Sequence, residues 1–194
     1  MKKILILSVI ITVSLFGCKK EDQTEPSSKT YQITQVNIGG DLYNKIEGTI
    51  NEDLTLTSDK TWMLSGGVFV EKGSTLTIPK GIYVFADVDV TTFLSVKQGG
   101  KIIAEGTQTN PIVFKPLTTS PNYGDWGGII INGYAKLNTG LTAEGEGGTG
   151  IYGGTDDNDN SGILRYVRVE YAGKILGTDN ELNGFSFNGV GSST

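Results

Sequence analysis

The sequence predicts an all-β chain wound as a β-solenoid, and three observations carry this. From Tyr31 onward, apolar residues alternate or come in short runs punctuated by glycine and asparagine, with no stretch of helical period. VFVEKGSTLTI (68–78) aligns with LSVKQGGKIIA (94–104) at an offset of 26 residues, which places Val70 on Val96 and Leu76 on Ile102. The same alignment superposes Gly73 and Gly99, which then sit at a corner between two sheets, where positive φ is expected. A period in the twenties marks a solenoid. One such unit cannot bury both its faces; stacking the next coil covers the apolar stripe and pairs the backbone.

The elements follow in chain order. Residues 1–17 read as a signal segment: Lys2 and Lys3 form a positive start, and residues 4–16 are an apolar run broken only by small hydroxyls. Thirteen residues rise about 20 Å as a helix, too short for a bilayer core of about 30 Å. The run ends in LFGC (15–18), which resembles the lipobox of bacterial lipoproteins. That resemblance implies cleavage before Cys18 and a lipid on Cys18, the chain's only cysteine. An ordinary cleavage site beside an incidental cysteine is the alternative. KKEDQTEPSSKT (19–30) holds no residue able to enter a core and reads as a flexible tether. Lys19 in place of aspartate argues against inner-membrane retention. The lysine-then-acidic run resembles the surface-export signal of Bacteroidota lipoproteins, so the expected address is the outer face of the outer membrane.

Residues 31–60 are expected to form an N-terminal strand-rich cap that shields the first coil. Residues 61–194 are expected to be the coils. PIVFKP (111–116), WGGIIINGYAKLN (126–138), ILRYVRVEYAG (163–173) and NGFSFNGV (183–190) are the further rungs. In the third of these, alternation turns Val167, Val169 and Tyr171 inward and Arg168 and Glu170 outward. NGFSFNGVGSST stops in mid-rung without a cap, so the β-helix is expected to be truncated at the C-terminus.

VFVEKGSTLTIPKG, GGKIIAEGTQTNPIVF, GDWGGIIINGYA and GGTDDNDNSGILRYVRVEYAG, in that order, resemble a family of secreted right-handed parallel β-helix proteins of Bacteroidota, pectate-lyase-like in fold. The resemblance spans residues 61–194. It implies a right-handed parallel β-helix and no particular activity, because the fold hosts many.

Composition narrows the chemistry. The chain has 16 basic and 21 acidic residues; two lysines leave with the signal, so the mature charge is 14 − 21 = −7. Such a surface disfavours nucleic acid as a partner. Histidine is absent, which removes histidine triads, histidine-ligated metals and the commonest general base. The lone cysteine is assigned to the lipid, which leaves no disulfide or thiolate site.

Candidate sites remain. GGTDDNDNSG (153–162) holds Asp156, Asp157 and Asp159, a candidate calcium site; its alternative is a hydrated corner rich in turn-forming residues. An EF-hand is excluded, since Arg168 stands where the twelfth-position glutamate is needed. GEGGTG (145–150) matches a dinucleotide pattern, but no helix follows it and the motif is rejected. Residues 140–154 read as one long mobile excursion carrying Glu144 and Glu146, candidate ligand contacts. Asp125 beside Trp126 allows carbohydrate contact; the alternative is that Trp126 plugs the coil. The function expected is binding or display at the envelope, on a glycan or an envelope protein, with the membrane held through the lipid. The alternative is a polysaccharide lyase with calcium as cofactor and Arg165 or Arg168 as base, or a hydrolase-like enzyme on the same fold. No catalytic residue is assigned. Replacing Cys18 with alanine should move the protein from the membrane to the soluble fraction after cell lysis; persistence in the membrane pellet would remove the lipid assignment.

Overall fold

A computed structural model describes residues 29–194. Its strands are β1 (Thr30–Ile38), β2 (Asp41–Ile50), β3 (Leu54–Thr55), β4 (Trp62–Val70), β5 (Thr75–Ile78), β6 (Tyr83–Ala86), β7 (Phe93–Val96), β8 (Lys101–Glu105) and β9 (Ile112–Pro116). They continue with β10 (Ile129–Asn132), β11 (Ala143–Gly145), β12 (Gly150–Tyr152), β13 (Gly162–Arg165), β14 (Val167–Val169), β15 (Ile175–Gly177), β16 (Asn180–Glu181) and β17 (Phe185–Asn188). Among the described residues the one helical element is a 3-10 turn, Glu146–Gly148.

The strands form a parallel β-helix with three faces. The first runs β2–β4–β6–β9–β14, using the leading halves of β2 and β4. The second runs β2–β4–β7–β10–β17 through their trailing halves. The third runs β3–β5–β8–β13. β2 and β4 serve two faces because each bends midway, at Gly48 (φ +91) and Gly66 (φ +68). β1 folds back antiparallel on β2 and covers its outer edge. The stretch 31–60 therefore both covers the end of the helix and supplies strands to its first coil.

The 26-residue repeat is the ladder itself. Val70 lies on Val96 and Leu76 on Ile102, both in parallel register. Inward positions stack in columns, such as Val68–Leu94–Ile129–Phe185 on the second face. The first three of these are fully buried, and burial of each such side chain contributes about 1.5–3 kcal/mol. The corner glycines have φ of +82 at Gly73 and +77 at Gly99, with Gly73 N–H donating to Gly99 O at 2.9 Å. Beside them Lys97 reaches Glu71, its neighbour in the coil below, at 2.9 Å.

Two expectations for the last rungs need correction. Tyr171 does not continue the inward stripe of Val167 and Val169. Its φ is +55, which turns the chain off the strand and leaves the side chain 38% exposed. Residues 140–154 are folded, not loose: β11 and β12 pair antiparallel around the 3-10 turn.

At Gly73 an added Cβ would meet nothing within 4 Å, so only backbone strain opposes a side chain there. Gly73→Ala should lower stability by about 1–2 kcal/mol. Gly73→Asn should cost markedly less, because asparagine tolerates the left-handed region. Equal losses in denaturant titrations would show that the corner does not need that conformation.

Candidate functional site

The coil length is constant where strands follow directly and stretches where the chain leaves the helix. Ile102 and Gly162 are register partners although 60 residues apart. Two excursions account for the site. Residues 133–161 leave the second face after β10, and residues 170–184 lead into β17. Both fold over the outer surface of that second face.

A small apolar core lies between them and the sheet: Phe93, Ile130 and Leu182 are buried, with Phe69 and Leu176 packed against them. Beside it runs a polar column. GIIING (128–133) and GFSFNG (184–189) are successive rungs, and their asparagines are paired. Asn188 Nδ2 donates to Asn132 Oδ1 at 3.0 Å, and Asn132 Nδ2 donates to Thr149 O at 2.9 Å. Ser95 Oγ donates to the same carbonyl at 2.6 Å. These groups are buried, and a buried polar group left without a partner costs about 1–3 kcal/mol. The column therefore pins the β11–β12 hairpin to the sheet. Glu146 accepts from Glu181 N–H at 3.2 Å, and Gly147 N–H donates to Asn180 Oδ1 at 3.1 Å. These two bonds join the two excursions.

Between hairpin and sheet lies a cleft of about 240 Å³. Glu144, Glu146 and Glu181 stand at its rim, all exposed. Asn183, Ser186, Asn188 and Thr149 supply amides and hydroxyls, and Ile130 and Leu182 give it an apolar floor. Glu144 and Glu146 were legible as candidates; Glu181, Asn183, Ser186 and Asn188 were not. The shared asparagine of GIIING and GFSFNG was the available signal.

The acidic loop 153–162 is a pinned corner. Asp156 Oδ1 accepts from Asn158 N–H at 3.0 Å, closing a local turn. Asp157 pairs with Lys136 Nζ at 2.7 Å and also accepts from Lys136 N–H at 3.2 Å. Those contacts hold its carboxyl below the ordinary value and the Lys136 ammonium above its own. Asp159 is buried at 5% exposure and accepts from Ser161 Oγ at 2.8 Å. The three carboxylates face three different partners, and no group of three or more acidic, histidine or cysteine residues that could hold a metal occurs among the described residues.

Trp126 is fully buried. It stacks on Phe114 with ring centroids 6.2 Å apart, and its indole N–H donates to Glu170 O at 2.8 Å. It offers no ring face to solvent. Asp125 is half-buried and accepts from Asn122 N–H at 2.8 Å. Arg165 lies on the third face beside Glu105 at 3.5 Å, and Arg168 lies on the first face beside Glu170 at 2.6 Å. Neither belongs to the face that carries the cleft. Cys18 and its lipobox lie outside the described residues. No helix among the described residues is long and apolar enough to cross a membrane.

The family model described as a pectate-lyase like beta helix domain matches residues 48–194. No curated protein and no solved structure matches the chain.

Asp157 gives a pH test. Its lowered carboxyl value stabilises the fold above the ordinary 3.8 and that contribution fades as the pH falls below it. The melting temperature of Asp157→Asn should lie below the parent's at pH 7 and converge on it in stronger acid. Millimolar calcium should leave both melting temperatures unchanged; a calcium-dependent rise that Asp157→Asn abolishes would place a cation in the loop.

Proposed function

Because the chain belongs to the pectate-lyase-like β-helix domain family, we propose that it is a lipid-anchored envelope protein whose β-helix serves as a rigid scaffold for glycan binding. One observation carries the binding reading, the cleft on the second face. Carboxylates accept hydroxyl hydrogen bonds strongly, amides both donate and accept, and an apolar floor receives the C–H face of a sugar. The rigid sheet beneath and the pinned hairpin above lower the entropic cost of ordering these groups on binding.

The charge of the rim selects the ligand. Three glutamates repel uronic-acid polymers, so the fitting partner is a neutral or amine-bearing glycan. A lyase acting on acidic polysaccharide has less support. It needs cations beside the substrate, and both candidate arginines are on other faces and already paired with glutamates. The anchor rests on residues 2–18 of the sequence, and the outer-membrane address on Lys19 and the acidic run after it.

Probing immobilised glycans with the purified protein tests this. Binding should fall on neutral or amine-bearing glycans and miss polygalacturonate. Glu144→Gln should weaken it about tenfold, the loss of one charged hydrogen bond. Release of unsaturated sugars from polygalacturonate would overturn the proposal in favour of lyase chemistry.

A further inference from the structure

We infer that Tyr123 and Tyr171 form a stacking notch for one neutral pyranose ring, a second contact for the glycan held in the cleft. The inference rests on the glycan reading above. Its starting point is where the aromatic residues go. In YGDWGG (123–128), Trp126 is buried and Tyr123 is 91% exposed. Tyr171 comes to it across the fold, with ring centroids 5.9 Å apart and planes at 41°. Rings that only satisfied each other would stack or meet edge to face. At this tilt each keeps an open face.

Both rings are held from behind. Tyr123 rides on a turn closed by Asp125 N–H to Asn122 O at 3.2 Å and by Asn122 N–H to Asp125 Oδ2. Gly124, with φ +83, sends its N–H to Ala172 O at 3.2 Å, which ties that turn to the chain beside Tyr171. Tyr171 has φ +55, a conformation that bulky residues rarely take and that persists only when the surroundings enforce it. Trp126 does the enforcing. Its indole N–H holds Glu170 O, and its backbone bridges to Ala172, so both neighbours of Tyr171 are clamped. Such pre-organised, solvent-facing rings lose little freedom on binding. The second carboxylate oxygen of Asp125 has no partner among the described residues and lies two residues from Tyr123, an acceptor for a ring hydroxyl.

The notch and the cleft share one excursion. Tyr171 opens the segment 170–184, and Glu181, Leu182 and Asn183 on its return leg line the cleft. Tyr123 and Ile130 of the cleft floor are seven residues apart, at most about 25 Å along the chain. One oligosaccharide lying along the excursion reaches both.

Calorimetric titration of the purified protein with the hexasaccharides of β-1,4-glucan, β-1,4-mannan and β-1,4-linked N-acetylglucosamine tests it. The variants are Tyr123→Ala, Tyr171→Asn and Glu144→Gln. Asparagine at 171 removes the ring but accepts the left-handed backbone, so its melting temperature should not fall. If it does, Tyr123→Ala, at a fully exposed ring, decides. Each tyrosine variant should weaken binding of the best hexasaccharide about tenfold. Binding weakened by Glu144→Gln but untouched by either tyrosine variant would overturn the notch and leave the cleft standing. Binding weakened by the tyrosine variants alone would keep the notch and remove the cleft. No saturable binding of any of the three sugars would overturn both.

Discussion

The structure depends on in-register parallel stacking of coils. Each strand hydrogen-bonds to the strand one coil below, and this fixes which side chain lies over which. Val68, Leu94 and Ile129 form an inward column for that reason, and so do Leu76 and Ile102 on another face. A slip of one residue would turn every inward side chain outward. The apolar columns and the backbone ladder therefore enforce the same register, and neither is stable without the other. The long parallel sheets have no hairpin to set them locally, apart from the β1–β2 pair at the start.

That constraint acts only on the strands, which frees the connections to vary. The chain between Glu71 and Gly100 passes through a near-minimal coil, while the passage from β10 to β13 makes a long detour. Whatever leaves the helix must still satisfy its backbone on return. Thr149 O does so against Asn132 and Ser95, and Gly153 N–H and O do so against Gly133 and Gln98. The outer surface of the second face thus acts as a docking bed. Its apolar part holds Leu176 and Leu182, and its polar part holds the hairpin. The cleft is the space these two docked excursions leave between them.

Electrostatics follows the same division. An acidic chain must disperse its carboxylates, and most near the helix are matched to a lysine, an arginine or a backbone N–H. Glu71 is held below its ordinary range by Lys97, and Asp157 by Lys136. Glu144 and Glu181 stand out by contrast, exposed at the cleft rim with no basic partner among the described residues. A concentration of negative charge at one docked loop, on a scaffold that otherwise balances its charges locally, gives the second face its distinct chemistry.

The sequence by itself determined the coil. The offset of 26, the inward pairs Val70 on Val96 and Leu76 on Ile102, and the left-handed corners at Gly73 and Gly99 are all local patterns of alternation and turn chemistry. They survive folding because the ladder repeats them. The candidate site was legible only in part. Glu144 and Glu146 were visible as acids on a long excursion, but not the sheet positions Ser186 and Asn188 that face them, because those are brought near by coil stacking across more than 40 residues. Tertiary structure alone decided which aromatic of YGDWGG is buried. Trp126 enters the coil because Phe114 and the Glu170 carbonyl receive it there, and that leaves Tyr123 outside. It also decided that Tyr171 departs from its strand alternation, since the Trp126 clamp on either side imposes a backbone that no local pattern favours. Alternation encodes which face a residue can take; whether that face is covered depends on what the neighbouring coil and the returning excursions place against it.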